Sequence, residues 1–163
     1  MPAGEKPPEA GMYEAVLVMH SWLRWVVVVL AAVVLVRAGA GLAAGRSWEP
    51  KDRRFMLLLT IGMDVQLLLG LLLYGVLSPV TSAAFSNMGA AMKDPVSRFW
   101  AVEHLTLMVL AVAAVHVGSV LIRKRSGVTP HKVALASVGA MVVAVMLAIP
   151  WPFVAAGRPL LRM

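Results

Sequence analysis

Residues 13–36, YEAVLVMHSWLRWVVVVLAAVVLV, carry the reading of the fold. The run is apolar apart from Glu14, His20, Ser21 and Arg24, and it exceeds the roughly 20 residues that a helix needs to cross about 30 Å of hydrocarbon. Three further blocks repeat that length: Phe55–Leu77, Phe99–Ile122 and Val133 to about Val154. None shows the period-2 alternation of a barrel strand, so helices are expected. The connections Arg37–Arg54, Ser78–Arg98 and Arg123–Lys132 let neighbouring spans pack antiparallel. The expected fold is all-α, a four-helix transmembrane bundle over residues 13–156. A disordered tail rich in Pro and Glu, 1–12, precedes it, and a short C-terminal tail, 157–163, follows.

The composition agrees. Of 163 residues, 60% are hydrophobic and 14% charged, against nearer half and a quarter in a soluble domain. The absence of cysteine excludes a disulfide scaffold, Cys-ligated zinc, iron–sulfur clusters and thiol chemistry. The net charge of +7 does not make a nucleic-acid binder, because the basic residues gather at the ends of the apolar blocks and not on one interleaved face. Counting them orients the chain. The first and third connections hold Arg37, Arg46, Lys51, Arg53, Arg54, Arg123, Lys124, Arg125 and Lys132, nine in all, against Lys6, Lys93, Arg98, Arg158 and Arg162, five, on the other side. The rule that loops rich in Lys and Arg stay inside predicts a multi-pass protein of the bacterial inner membrane with both termini periplasmic. Ala38-Gly39-Ala40 looks like a signal-cleavage site, but Met1–Gly11 is not positively charged and the apolar run is too long for a signal segment. The first span is read as retained.

Ionisable residues within spans are costly enough to count as functional candidates, and six occur here: His20, Arg24, Asp64, Glu103, His104 and His116. His20 lies seven positions after Tyr13 and His104 five after Phe99, on spans that enter from the same side, so the two imidazoles stand within a turn of one depth. Two histidines facing each other across a bundle can hold a b-type haem through both axial positions, an arrangement suited to electron transfer. The bland alternative, a pair of hydrogen-bonding interfacial histidines, weighs about equally. His116 is twelve positions after His104, about 120° round the helix, which argues against a second haem on the same face. It approaches the depth of His131 and Met141. Small residues such as Gly62, Gly70, Ala101, Ala111 and Gly139 suit a porphyrin but suit helix packing equally well.

Buried charges need partners, and Arg24 with Asp64 or with Glu103 is the natural pairing, structural before functional. Arg24 and Arg98 are candidate propionate partners. Trp22, Trp25, Trp100 and Trp151 read as interfacial anchors on the outer side. Pro150 and Pro152 break the last helix there, and Gly157–Leu160 folds back at the surface, with Arg158 and Arg162 toward headgroups, the preferred reading, or toward a propionate. The connection Ser78–Arg98 alone is long enough to cap the bundle.

The runs Met19-His20-Ser21-Trp22-Leu23-Arg24-Trp25, Asp64-Val65-Gln66-Leu67-Leu68-Leu69-Gly70, Phe99-Trp100-Ala101-Val102-Glu103-His104 and Ile149-Pro150-Trp151-Pro152 together resemble a family of small bacterial four-span membrane proteins described as cytochrome b-like. The resemblance covers nearly the whole chain after the tail. It implies haem b, with His20 and His104 as the metal ligands, and leaves His116 open.

Gly-rich phosphate loops, a Ser-His-Asp set and HExxH are absent, and the histidines are too dispersed in depth for zinc. Two readings remain. One is a membrane haem protein passing electrons between a quinol and a redox partner protein, a carrier subunit more than a stand-alone enzyme, alone or in a homo- or hetero-oligomer. The other is a cofactor-free accessory or transport subunit whose His, Asp and Glu relay protons or fix helices.

Overall fold

The structure, a computed structural model, describes residues 8–161. Within them every regular element is a helix: α1 (Pro8–Ala43), α2 (Pro50–Leu72), α3 (Pro79–Ser86), α4 (Met88–Ala91), α5 (Pro95–Arg98), α6 (His104–Arg123) and α7 (Thr129–Ala148). A π-helical turn, Leu73–Leu77, prolongs α2, and a second, Phe99–Glu103, joins α5 to α6. Four helical stretches are long and apolar enough to span a membrane: Gly11–Ala43, Pro50–Leu77, Pro95–Arg123 and Thr129–Ala148.

Local chemistry sets most boundaries. Glu49 and Asp52 form a reciprocal capping box at the start of α2, with Pro50 in its first turn, where no amide hydrogen is needed. Ser78 and Asp94 cap α3 and α5 in front of Pro79 and Pro95. The Ser97 hydrogen bonds that Asp94 receives hold its carboxyl below the usual carboxylate range. The two tight connections at the basic end use glycines at positive φ, Gly45 at 62° and Gly127 at 66°. They are stitched together by the Trp48 amide, which donates to the Gly127 carbonyl at 3.3 Å.

The first and last helices differ from expectation at both ends. The first helix starts at Pro8, inside the expected tail, and runs past Arg37 to Ala43, so the first connection shrinks to residues 44–49. Residues 1–7 of that tail lie outside the described residues, as does Arg162. The last helix begins earlier, at Thr129, and ends at Ala148 instead of near Val154. Pro150 and Pro152 supply no amide hydrogens to continue it, and Ile149 is already extended at ψ 127°. The expected cap over the outer end is formed by α3, α4 and α5.

α1 packs on α2 and α7, and α6 packs on the same two helices. The bundle is thus a ring in the order α1, α2, α6, α7, with α1 and α6 on one diagonal. Buried positions recur at alternating steps of three and four: Val27, Ala31, Val34 and Ala38 on α1; Ala111, Val115, Gly118 and Ile122 on α6; Ala134, Val138, Met141 and Val145 on α7. That is the seam spacing of helices crossing at a shallow angle. The central core fills the middle and the basic half. Toward the outer end it gives way to polar side chains.

Candidate functional site

His20 on α1 and His104 on the first turn of α6 meet across the diagonal of the ring, with ring centroids 6.4 Å apart. Each is held by a neighbour. His104 Nδ1 donates to the Ala148 carbonyl at 2.8 Å. In a continuing α7 that carbonyl would accept from residue 152, but residue 152 is proline, so the acceptor is left to the imidazole. Pro150 frees the Met146 carbonyl in the same way, and the Trp151 indole takes it at 2.8 Å. With Nδ1 occupied as a donor, His104 keeps Nε2 as a lone pair.

His20 is framed by α2. Gln66, buried, donates its amide to the His20 carbonyl at 3.0 Å and stands 3.3 Å from the ring Nε2. His20 Nδ1 and Gln66 Oε1 are both buried without a partner among the described residues. Gly70, one turn further along α2, lies against the ring: a Cβ there would come within 3.2 Å of His20 Cε1.

Space surrounds the pair on several sides. A cavity of about 30 Å³ reaches from both rings toward α2 and α6 along Met63, Leu67 and Met108, and a second of about 30 Å³ toward α1 and α7 along Val27, Val145 and Ile149. A third, about 100 Å³, opens outward past Tyr13, Tyr74 and Trp100 to Arg158. The π-helical turns shape this mouth. Tyr74 in the first donates its hydroxyl to the Ala101 carbonyl in the second at 2.6 Å, and Thr81 of α3 donates to the Tyr74 carbonyl at 2.7 Å. Such turns widen a helix locally and recur at functional sites.

The cations at the mouth are organised by the C-terminal segment. Arg24 donates to the Leu160 carbonyl and to Ser21 Oγ, and Trp25 donates its indole N–H to the same Leu160 carbonyl at 3.1 Å. Arg24 Nε is buried and unpartnered among the described residues. Arg158 stacks 5.0 Å above the Trp100 ring and lines the outer cavity.

The other candidates part company with the site. Arg24 does not pair with Asp64 or Glu103; those carboxylates take His116 at 2.7 Å and Arg98 at 2.7 Å. Arg98 is therefore paired with Glu103 and is not among the residues lining the cavities beside the two histidines. His116 is on the outer surface of the bundle and not beside His131 or Met141. His131 is wholly buried at the basic end, where it bonds the Arg46 carbonyl at 2.9 Å and packs edge-on to Trp48 at 5.0 Å. There the buried Asp52 bridges Arg37 at 2.7 Å and Arg46 at 2.9 Å. The Asp52 hydrogen bond, the largest influence on it, raises the proton affinity of Arg46. This cluster locks the first connection onto α7 and lies at the opposite end from the histidine pair.

Gln66, Tyr74, the Ala148 carbonyl and Leu160 are site residues that the sequence reading left out. Gln66 had a signal, a polar side chain four positions before Gly70 within a span. The Ala148 carbonyl had one too, in the prolines that remove its helical donor.

No set of three or more His, Cys, Asp or Glu side chains converges on a metal position among the described residues. The groups that line the site are two imidazoles, the voids beside them and the guanidinium groups of Arg24 and Arg158. The chain matches no family model, no curated protein and no solved structure, and this geometry stands as the basis for any functional reading.

Proposed function

We propose that the protein binds one b-type haem between His20 and His104 and serves as an electron carrier in a bacterial inner membrane. In this reading both termini face the periplasm, and electrons pass between a membrane quinol and a redox partner protein. The observation that carries the reading is the 6.4 Å separation of the two imidazoles across the bundle diagonal. A first-row metal ion holds an imidazole nitrogen at about 2.0 Å, so two rings on opposite sides of one ion stand roughly 6 Å apart between centroids. The donor set fits as well. Ligating histidines characteristically donate the second ring nitrogen to a carbonyl, as His104 does to Ala148.

Haem supplies a one-electron ferric–ferrous couple when bound. The protein's own part is positional and electrostatic. His20 and His104 would hold the iron through their imidazole nitrogens. Gly70 keeps α2 close to the His20 ring without a side chain between them, and small voids flank the pair toward α2 and α7. Arg24 and Arg158, at the mouth, offer positive charge to its carboxylates.

The test is an optical spectrum of detergent-purified protein from cells supplied with haem precursor, oxidised and then dithionite-reduced. A sharp reduced α band is expected. A colourless protein that stays colourless through a haem titration sinks the reading. One observation favours the second reading, a cofactor-free accessory subunit: the His20 ring nitrogen already has the Gln66 amide beside it, and Glu103 and Asp64 are each paired. The same titration separates the two.

A further inference from the structure

Among the described residues, His116 and Asp64 form an ion-pairing couple on the middle of the bundle's outer surface that the haem reading does not use. Asp64 stands ten residues inside Arg54 on α2, about 15 Å along the axis, so the pair is deep in the hydrocarbon. The side chains touch, His116 Nε2 to Asp64 Oδ1 at 2.7 Å, yet they remain 49% and 43% exposed. In a single copy they face lipid. Polar groups at that depth characteristically turn toward protein or a watered cavity, because hydrocarbon leaves their remaining hydrogen-bonding capacity unmet.

We propose that the chain pairs with a second copy of itself through the α2–α6 face, centred on Asp64 and His116. The pair is self-complementary. In its electroneutral form, whichever atom carries the shared proton, His116 Nδ1–H is left as a donor and Asp64 Oδ2 as an acceptor. A two-fold axis brings each donor to the other copy's acceptor, so one contact is made twice. No other hydrogen bond engages either side chain among the described residues. The surrounding residues have the spacing of a packing seam. On α2 the exposed Leu57, Ile61 and Leu68 accompany Asp64 at steps of four, three and four, and on α6 the exposed Val109 and Val120 flank His116. A polar pair within an apolar seam fixes register and copy number. The lipid-facing surfaces of α1 and α7 at comparable depth, at Val29 and Val143, offer side chains that are apolar only.

The test exploits a chain without cysteine, since a single introduced thiol can form disulfides only between chains. Leu57→Cys lies on the proposed face, and Val36→Cys lies near the same membrane end on α1. Oxidation in native membranes should convert most of the Leu57→Cys protein to covalent dimer and at least tenfold less of the Val36→Cys protein. Adding Asp64→Leu with His116→Leu should lower the Leu57→Cys yield at least tenfold and shift the light-scattering mass in detergent from dimer to monomer. Ile61→Trp, which leaves the pair intact but fills the seam, should do the same, so a folding failure of the double variant would not decide the matter. Four outcomes overturn the proposal: equal cross-linking at both thiols, a monomeric parent, a yield untouched by the substitutions, or cross-linking to a different protein. Loss of quinone-analogue binding from a monomeric parent would assign the pair to a lipid-side ligand instead.

Discussion

His104 and Ala148 are joined by a 2.8 Å hydrogen bond that exists because the fourth residue after Ala148 is Pro152. The break at the end of α7 thus aims a side chain on α6. If the aimed nitrogen is a haem ligand, His20→Ala and His104→Ala each abolish the low-spin reduced α band, with the helical circular dichroism unchanged. Added imidazole should restore part of the band in either variant. A variant with an unaltered spectrum would remove that histidine from the ligand set.

Gly70→Val tests the space beside the His20 ring. Even a Cβ lies 3.2 Å from Cε1, tighter than ordinary contact, and valine adds two methyl groups. Overpacking of this kind costs about 1–3 kcal/mol. It should weaken haem retention about tenfold or more, while Gly75→Val, with open space around it, leaves retention unchanged. Titration of both apoproteins with haem measures the difference.

How much of this was legible in the sequence follows from what each signal depends on. Four spans and their antiparallel order needed only block length, and the structure has them. The approach of His20 and His104 was legible because depth in a span is a count of residues. Charge pairing was not, because it depends on helical azimuth. Arg24 pairs with neither Asp64 nor Glu103, because Asp64 is two positions from Gln66 and so points away from the bundle interior, while Arg98 reaches Glu103 from one turn earlier on the same span. The ring order α1, α2, α6, α7, which places α1 opposite α6, also comes from packing and not from composition.

Asp52→Ala should be the most destabilising single change at the basic end. Its side chain is fully buried between Arg37 and Arg46, and removing one member of such a cluster strands the others at a cost of about 3–5 kcal/mol. Glu49→Gln, at a side chain 46% exposed, should cost no more than about 1 kcal/mol. Thermal unfolding in one detergent, followed by circular dichroism, ranks the two.

Gly41→Ala probes the same lock from α1, where a Cβ would lie 2.6 Å from His131 Nε2. The expected loss is about 1–3 kcal/mol. It should be largely relieved in combination with His131→Ala, giving a coupling that two independent sites would not show. A strictly additive double variant would mean that the ring is not what Gly41 accommodates.

The shortness of α7 sets a gauge for the whole molecule. Its 20 residues rise about 30 Å, just the thickness of a typical hydrocarbon layer, whereas α1 has 36 residues and can tilt. Beyond Ala148 the chain is irregular, and irregular backbone is tolerated in lipid only where protein shields it. A thicker bilayer would draw the segment that anchors Arg24 and aims His104 into hydrocarbon, so acyl-chain length becomes a control on the site: the protein is tuned to a membrane of one thickness.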